Sequence, residues 1–140
     1  MNNNWTFVHF IARWILGVLF LMASYWKVFV LTPVAHANQF FVEAFAETWI
    51  PEWLLYGLGL SIPLLELAAG ILLCVGWRLR EALIALGLLL IITTYGHALQ
   101  DPFFDIDGHT FTRLALVILL LLAPAGSDKY SLDGWLATRK

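Results

Sequence analysis

Apolar residues in this chain come in long unbroken runs. Four runs, residues 7–31, 54–77, 82–99 and 110–125, are separated by short polar segments. A helix needs about 20 apolar residues to cross the hydrocarbon layer of a bilayer. The pattern therefore predicts an all-α, four-transmembrane-helix bundle in which the fourth span is the shortest. Between the first two runs, Phe41, Phe45 and Trp49 recur every four residues with Glu43 and Glu47 alongside. That stretch, residues 39–50, is too short to span. A short interfacial amphipathic helix stopped by Pro51 is expected there. Residues 1–140 are expected to form a single integral membrane domain.

Polar positions inside the runs are few and therefore informative. Arg13, Gly17, Phe20, Ser24 and Lys27 follow spacings of four, three, four and three, so they share one helix face. In the second run Gly59, Glu66, Ala69, Gly70 and Leu73 share a face whose small residues admit a neighbouring helix. Pro63 is expected to kink that helix a turn before Glu66. A carboxylate at such depth costs several kcal/mol unless it is paired, protonated or watered. Counting 1.5 Å per residue from the span ends puts Arg13 near the depth of Glu66. A buried ion pair, Arg13 with Glu66, is expected as the keystone of helix packing. Lys27 either snorkels to the headgroups or joins the inward face. The third run closes with Thr93, Thr94, His97 and Asp101, and the fourth opens with His109 and Arg113. Together with Asp105 and Asp107, and with Lys27 and His36 as further candidates, these form a titratable cluster at the exterior end, apart from the buried pair. Its ligand-binding candidates are His97, Asp101, Lys27, Thr94, His109 and Arg113.

Composition sharpens the class. Hydrophobic residues make up 61% of the chain and charged ones 13%, the balance of an integral membrane protein. A net charge of -2 with no Lys/Arg cluster excludes a nucleic-acid surface. The single cysteine, Cys74, cannot cycle as an intramolecular dithiol, which excludes a self-contained disulfide-generating enzyme and leaves it as buried packing. Arg78, Arg80, Lys129, Arg139 and Lys140 lie on one side of the spans, and Glu43, Glu47, Glu52 and Asp101 on the other. The positive-inside rule then makes both termini cytoplasmic. The first run is long and carries Arg13 and Lys27, unlike a cleaved signal peptide, although Ala35-His36-Ala37 has the form of a cleavage site.

Three functions compete for the exterior cluster. An apolar slot ending in a donor such as His97 and a carboxylate relay suits quinol or another small lipophilic molecule. Metal handling through His36, His97 and His109 is a second reading, but no His-x-x-x-His or Glu-x-x-His spacing occurs, so no metal ligand is assigned. The third is a solvated acidic loop on a non-enzymatic scaffold for a partner protein, with the Arg13–Glu66 pair purely structural. No nucleophile motif, phosphate loop or cofactor fingerprint is present, and catalytic residues stay unassigned.

The run Arg13-Trp14-Ile15-Leu16-Gly17 with Lys27, the spaced set Pro63, Glu66, Gly70, Gly76, Trp77 and Arg80, then His97, and the tail Gly126-Ser127-Asp128-Lys129-Tyr130-Ser131-Leu132-Asp133 together resemble the DoxX-like membrane proteins. The resemblance spans nearly the whole chain. It implies a four-helix protein of the bacterial inner membrane with both termini inside. It also implies membership of a quinone-linked redox system, at most as an oxidoreductase subunit, coupled to sulfur-compound oxidation or redox stress. Implied partners are another membrane or periplasmic redox protein, or a second copy of the chain. Carried over by position, the family's polar residues are Arg13, Lys27, Glu66 and His97. The tail departs from the pattern, reading Ala-Gly-Ser-Asp where Gly-x-Gly is more usual.

Overall fold

In a computed structural model, which describes residues 3–101 and 110–139, helices account for every regular element among the described residues. α1 (Asn3–Tyr25) runs on through a π-helical turn at Trp26–Val30. Next come α2 (Pro33–Ala37) with a second π-helical turn at Asn38–Val42, α3 (Glu52–Val75), α4 (Leu79–Gln100), α5 (Thr112–Leu121) and a short α6 (Leu132–Ala137). Three helices, Asn4–Val30, Glu52–Val75 and Leu79–Gln100, are long and apolar enough to cross a membrane. The fourth predicted span, 110–125, contains only the ten-residue α5. Its helix gives way to turns at Leu122 because Pro124 disfavours helical backbone in the residue before it.

α1 packs on α3 and α5, and α4 packs on the same two helices, closing a ring. Leu16, Phe20, Leu73, Leu86, Leu89 and Val117 fill its centre, all at most 5% exposed. α1 and α3 cross closely at Gly70, where a Cβ would stand 2.9 Å from the backbone nitrogen of Leu21. The small-residue face expected on the second span is thus the face that α1 packs against. That crossing sets Leu21 beside Gly70 and Gly17 beside Cys74, so climbing α1 descends α3. Outward faces carry large apolar side chains such as Met22, Ile91 and Leu122, as lipid-facing surfaces do.

The connection after α1 differs from the interfacial helix expected over 39–50. Thr32 turns the chain at φ 75° and its hydroxyl caps α2 by accepting from the Ala35 N–H at 3.3 Å. Pro33 then starts the helix at a position where a missing N–H costs nothing. α2 and the π turn pack against α3, with Ala37 fully buried, and chain turns follow as far as Thr48. Phe41 and Phe45 face inward, 6.2 Å apart between ring centres, whereas Trp49 is 77% exposed.

Candidate functional site

The partner of Glu66 is Lys27, not Arg13. Lys27 Nζ lies 2.6 Å from Glu66 Oε2, with both side chains largely buried. The register explains the difference. With Leu21 beside Gly70, the stretch of α1 level with Glu66 is the turn after Leu21, and Lys27 reaches back to it from the π-helical turn. Arg13 lies level with the last turn of α3. Counting depth from span ends failed because α1 overhangs α3 at that end, so equal depths did not mean equal levels.

Arg13 has a different task. Its guanidinium donates to the carbonyls of Leu73 and Cys74, the latter at 2.8 Å, and to Tyr130 at 2.8 Å. A helix leaves its last carbonyls without intrahelical donors, and a cation there also suits the helix dipole. Left-handed Gly76 (φ 77°) and Trp77 close onto the Leu72 carbonyl, and Arg13 takes the next two. The tail is tied in as well: Asp133 accepts the Arg78 and Leu79 N–H groups at 3.0 and 2.9 Å, capping α4. This end of the bundle is a structural knot.

At the opposite end two cavities abut. The inner one, of about 120 Å³, is lined by Phe20, Lys27, Glu66, Thr93, His97, Thr110 and Arg113 among others. The outer one, of about 380 Å³, is an aromatic slot walled by Phe40, Phe41, Phe45, Ile62 and Ile92. Lys27, Thr93 and His97 line both. The ion pair and the titratable cluster, separate in the sequence analysis, therefore form one polar floor beneath an apolar slot. Of the other candidates, Arg113 reaches this floor with its guanidinium 5.8 Å from the Phe20 ring centre. Thr94 bridges to it through Thr110, hydroxyl to hydroxyl at 3.2 Å. Asp101 ends α4, exposed, and lines neither cavity. His109, with Asp105 and Asp107, lies outside the described residues. Among the described residues no three His, Cys, Asp or Glu side chains gather as a metal site.

His36, raised in the sequence as a possible member of the exterior cluster and a possible metal ligand, holds the slot's wall. Pro63 has no N–H, so the Gly59 carbonyl four residues earlier loses its helical donor. In a membrane such a group must be satisfied by a neighbour. His36 Nδ1–H donates to that carbonyl at 2.8 Å, which fixes the tautomer. Gly59 lets the donor come close: a Cβ there would stand 2.5 Å from the Ala37 Cα. The ring also stacks on Phe40, 5.5 Å between centres. Burial holds the His36 pKa below its ordinary 6.5, against a smaller opposing effect of the Gly59 hydrogen bond. The Gly59–Pro63 spacing was the available signal, a carbonyl left open beside a site of close approach.

Comparison with known proteins corrects the family. The resemblance to DoxX-like proteins is overturned, since the family model that matches, over residues 5–100, is that of methylamine utilisation protein MauE. The residues behind the earlier likeness, such as Arg13, Gly70 and Gly76, cap a helix end and admit a close crossing, needs that any packed pair of membrane helices shares. No curated protein and no solved structure matches the chain. With the match covering more than half its length and three helices fit to cross a bilayer, the chain is a multi-pass membrane protein that belongs to the MauE family.

Proposed function

We propose that the protein is a membrane subunit of a redox system serving methylamine utilisation, and that its slot binds a quinol or a lipophilic molecule of similar size, head inward. One observation carries the reading: an aromatic-walled slot that ends on Lys27, Thr93 and His97. Its volume, about 380 Å³, falls in the range of small-molecule pockets, which are mostly apolar with a few polar groups fixing orientation. His97 would hydrogen-bond one of the ligand's oxygens, the Thr93 hydroxyl, whose own proton goes to the Leu89 and Leu90 carbonyls, would accept from a quinol O–H, and the Lys27 ammonium would favour a ring oxygen bearing negative charge. Electrons would pass to or from a membrane or soluble redox partner, or a second copy of the chain. The family description supports the amine-related setting.

The same reading takes the chain as one four-span domain of the bacterial inner membrane with both termini cytoplasmic. Arg78, Arg80, Lys129 and Arg139 on one side support that orientation. Fluorescence tests the ligand. Trp26 packs 6.5 Å from Phe40, one wall of the slot, centre to centre. Titrating the detergent-purified protein with a short-chain benzoquinone should quench tryptophan emission saturably. His97→Ala should weaken binding about tenfold with helix content unchanged. Absence of saturable quenching in folded wild-type protein would sink the quinone reading, and unchanged affinity in His97→Ala would sink this site.

A further inference from the structure

The aromatic slot does not end inside the bundle. Its α4 wall is made by Ile92, Thr93, Gly96, His97 and Gln100. Thr93 and His97 belong to the polar floor, whereas Ile92 belongs to a second row as well. Leu88, Ile92, Tyr95 and Leu99 follow spacings of four, three and four, so they share one face of α4. All four are between 38% and 58% exposed, as a face turned to lipid is. Ile92 is therefore both an edge of the slot and part of the outer surface.

Depth decides what lies beyond that edge. α4 rises about 33 Å over its 22 residues, and Ile92 sits about 4 Å from its middle. Ile62, the wall that α3 contributes, sits about 2 Å from the middle of α3. Half of the hydrocarbon layer is about 15 Å thick, so an opening at Ile92 meets acyl chains and not water. The end of the slot nearest the water is bridged instead. Gln100 and Ala44 both line the slot, and the Gln100 side chain donates to the Ala44 carbonyl about 16 Å from the middle of α4. Between these ends Gly96 keeps the slot wide, since a Cβ there would already touch the Phe45 ring at 3.5 Å.

We infer that the slot opens sideways into the lipid at Ile92, and that its ligand carries an alkyl tail which leaves over Ile92 beside Leu88 while the head rests on the polar floor. The inference rests on the reading of the slot as a quinol-type site and narrows it to tailed, membrane-dissolved molecules. Thr93, at the floor, is itself only about 5 Å from the middle of α4, so a head held there arrives through lipid. The tail supplies that route and adds little affinity, because lipid is as apolar a surrounding as the leucines it would touch. Its position, and not its binding energy, is the quantity to measure.

Photolabelling of the full-length protein in phosphatidylcholine vesicles tests it with two decyl benzoquinones, one carrying a diazirine next to the ring and one at the fourth chain carbon. Labelling counts where unlabelled decyl benzoquinone competes it away. The ring-adjacent probe should mark the slot at Phe45 or Gly96, and the fourth-carbon probe should mark Ile92 or Leu88. Gly96→Leu, which fills the slot at a site of ordinary contact, should reduce both at least tenfold. Ile92→Phe, at an exposed position that leaves folding intact, should narrow the exit. It should weaken the decyl ring about tenfold and the ring without a side chain less than twofold, read by tryptophan quenching at one fixed detergent concentration so that micelle partition cancels. If the ring-adjacent probe marks the slot but the fourth-carbon probe marks residues 43–49, Gln100 or nothing, the tail does not leave at Ile92 and the inference falls. Equal effects of Ile92→Phe on the two ligands overturn it as well. No competed labelling by either probe in folded protein would remove the quinol reading itself, and this inference with it.

Discussion

Arg13 and the Lys27–Glu66 pair, ionisable groups inside the bundle, follow different logics. Arg13 spends its charge on carbonyl dipoles at the end of α3, and its Nε is buried without a hydrogen-bond partner. Lys27 and Glu66 instead form a direct pair whose side chains are 23% and 7% exposed. Pairing offsets the desolvation of both, but removing one member leaves the other charge stranded, which costs about 3–5 kcal/mol in a buried site. Lys27→Met should therefore destabilise the protein by roughly that amount, measured by thermal unfolding in detergent with a fixed ligand-free preparation. Lys27→Met with Glu66→Leu should recover most of the loss, since an apolar replacement of a whole buried pair is often neutral. A double variant as unstable as the sum of the two single variants would mean the pair carries no coupling.

At the scale of elements, the slot exists because a helix defect is repaired by a neighbour. Pro63 opens the Gly59 carbonyl, Gly59 admits α2, and His36 fills the gap, so three residues on two elements act as one unit. His36→Phe should cost about 1–3 kcal/mol by orphaning the carbonyl. Pro63→Ala restores the helical N–H, so in that background the same change should cost close to nothing. Additive costs in this cycle would show that the two residues do not share the carbonyl. The pH dependence gives the same cycle a second measure. Because the folded pKa of His36 is depressed, the unfolded chain binds the proton first as pH falls. The stability His36 contributes is present in full above the unfolded value of 6.5 and is lost as pH drops from there through the folded value. His36→Phe should flatten that part of the stability profile. The periodic faces of α1 and α3 were legible in sequence because buried faces must repeat every three or four residues, and Arg13, Phe20, Ser24, Glu66 and Leu73 are all buried as expected. Partnerships were not legible, because the relative height of two antiparallel helices depends on where their backbones cross. Gly70 marks that crossing without naming its opposite number. The slot's walls were missed for a related reason: α2 folds back on α3 through a histidine–carbonyl bond that no periodicity encodes.

For the whole molecule, the knot at Arg13 constrains how often the chain crosses the membrane. α4 leaves that end at Leu79 and reaches the slot end at Gln100, whose side chain donates to the Ala44 carbonyl at 3.3 Å. Residues 130–133 are back at the first end, where Asp133 N–H bonds the Gly76 carbonyl at 2.9 Å and its carboxylate caps α4. If α4 spans the bilayer, the stretch between must return across it, and α5, packed on α1 and α4, is the element available. A ten-residue helix rises only about 15 Å, so its flanking residues must cover the remainder. Non-helical backbone is tolerated at membrane depth where protein surrounds it. Cysteine labelling in a Cys74→Ser background decides the matter. Four crossings put Thr138→Cys on the same side as Arg78→Cys, and in the orientation proposed above both are reached by an impermeant maleimide only after the cells are opened. Glu47→Cys and Asp101→Cys should label in intact cells. Labelling of Thr138→Cys together with Glu47→Cys would leave three crossings, and the tail contacts of Asp133 could not then form across the bilayer.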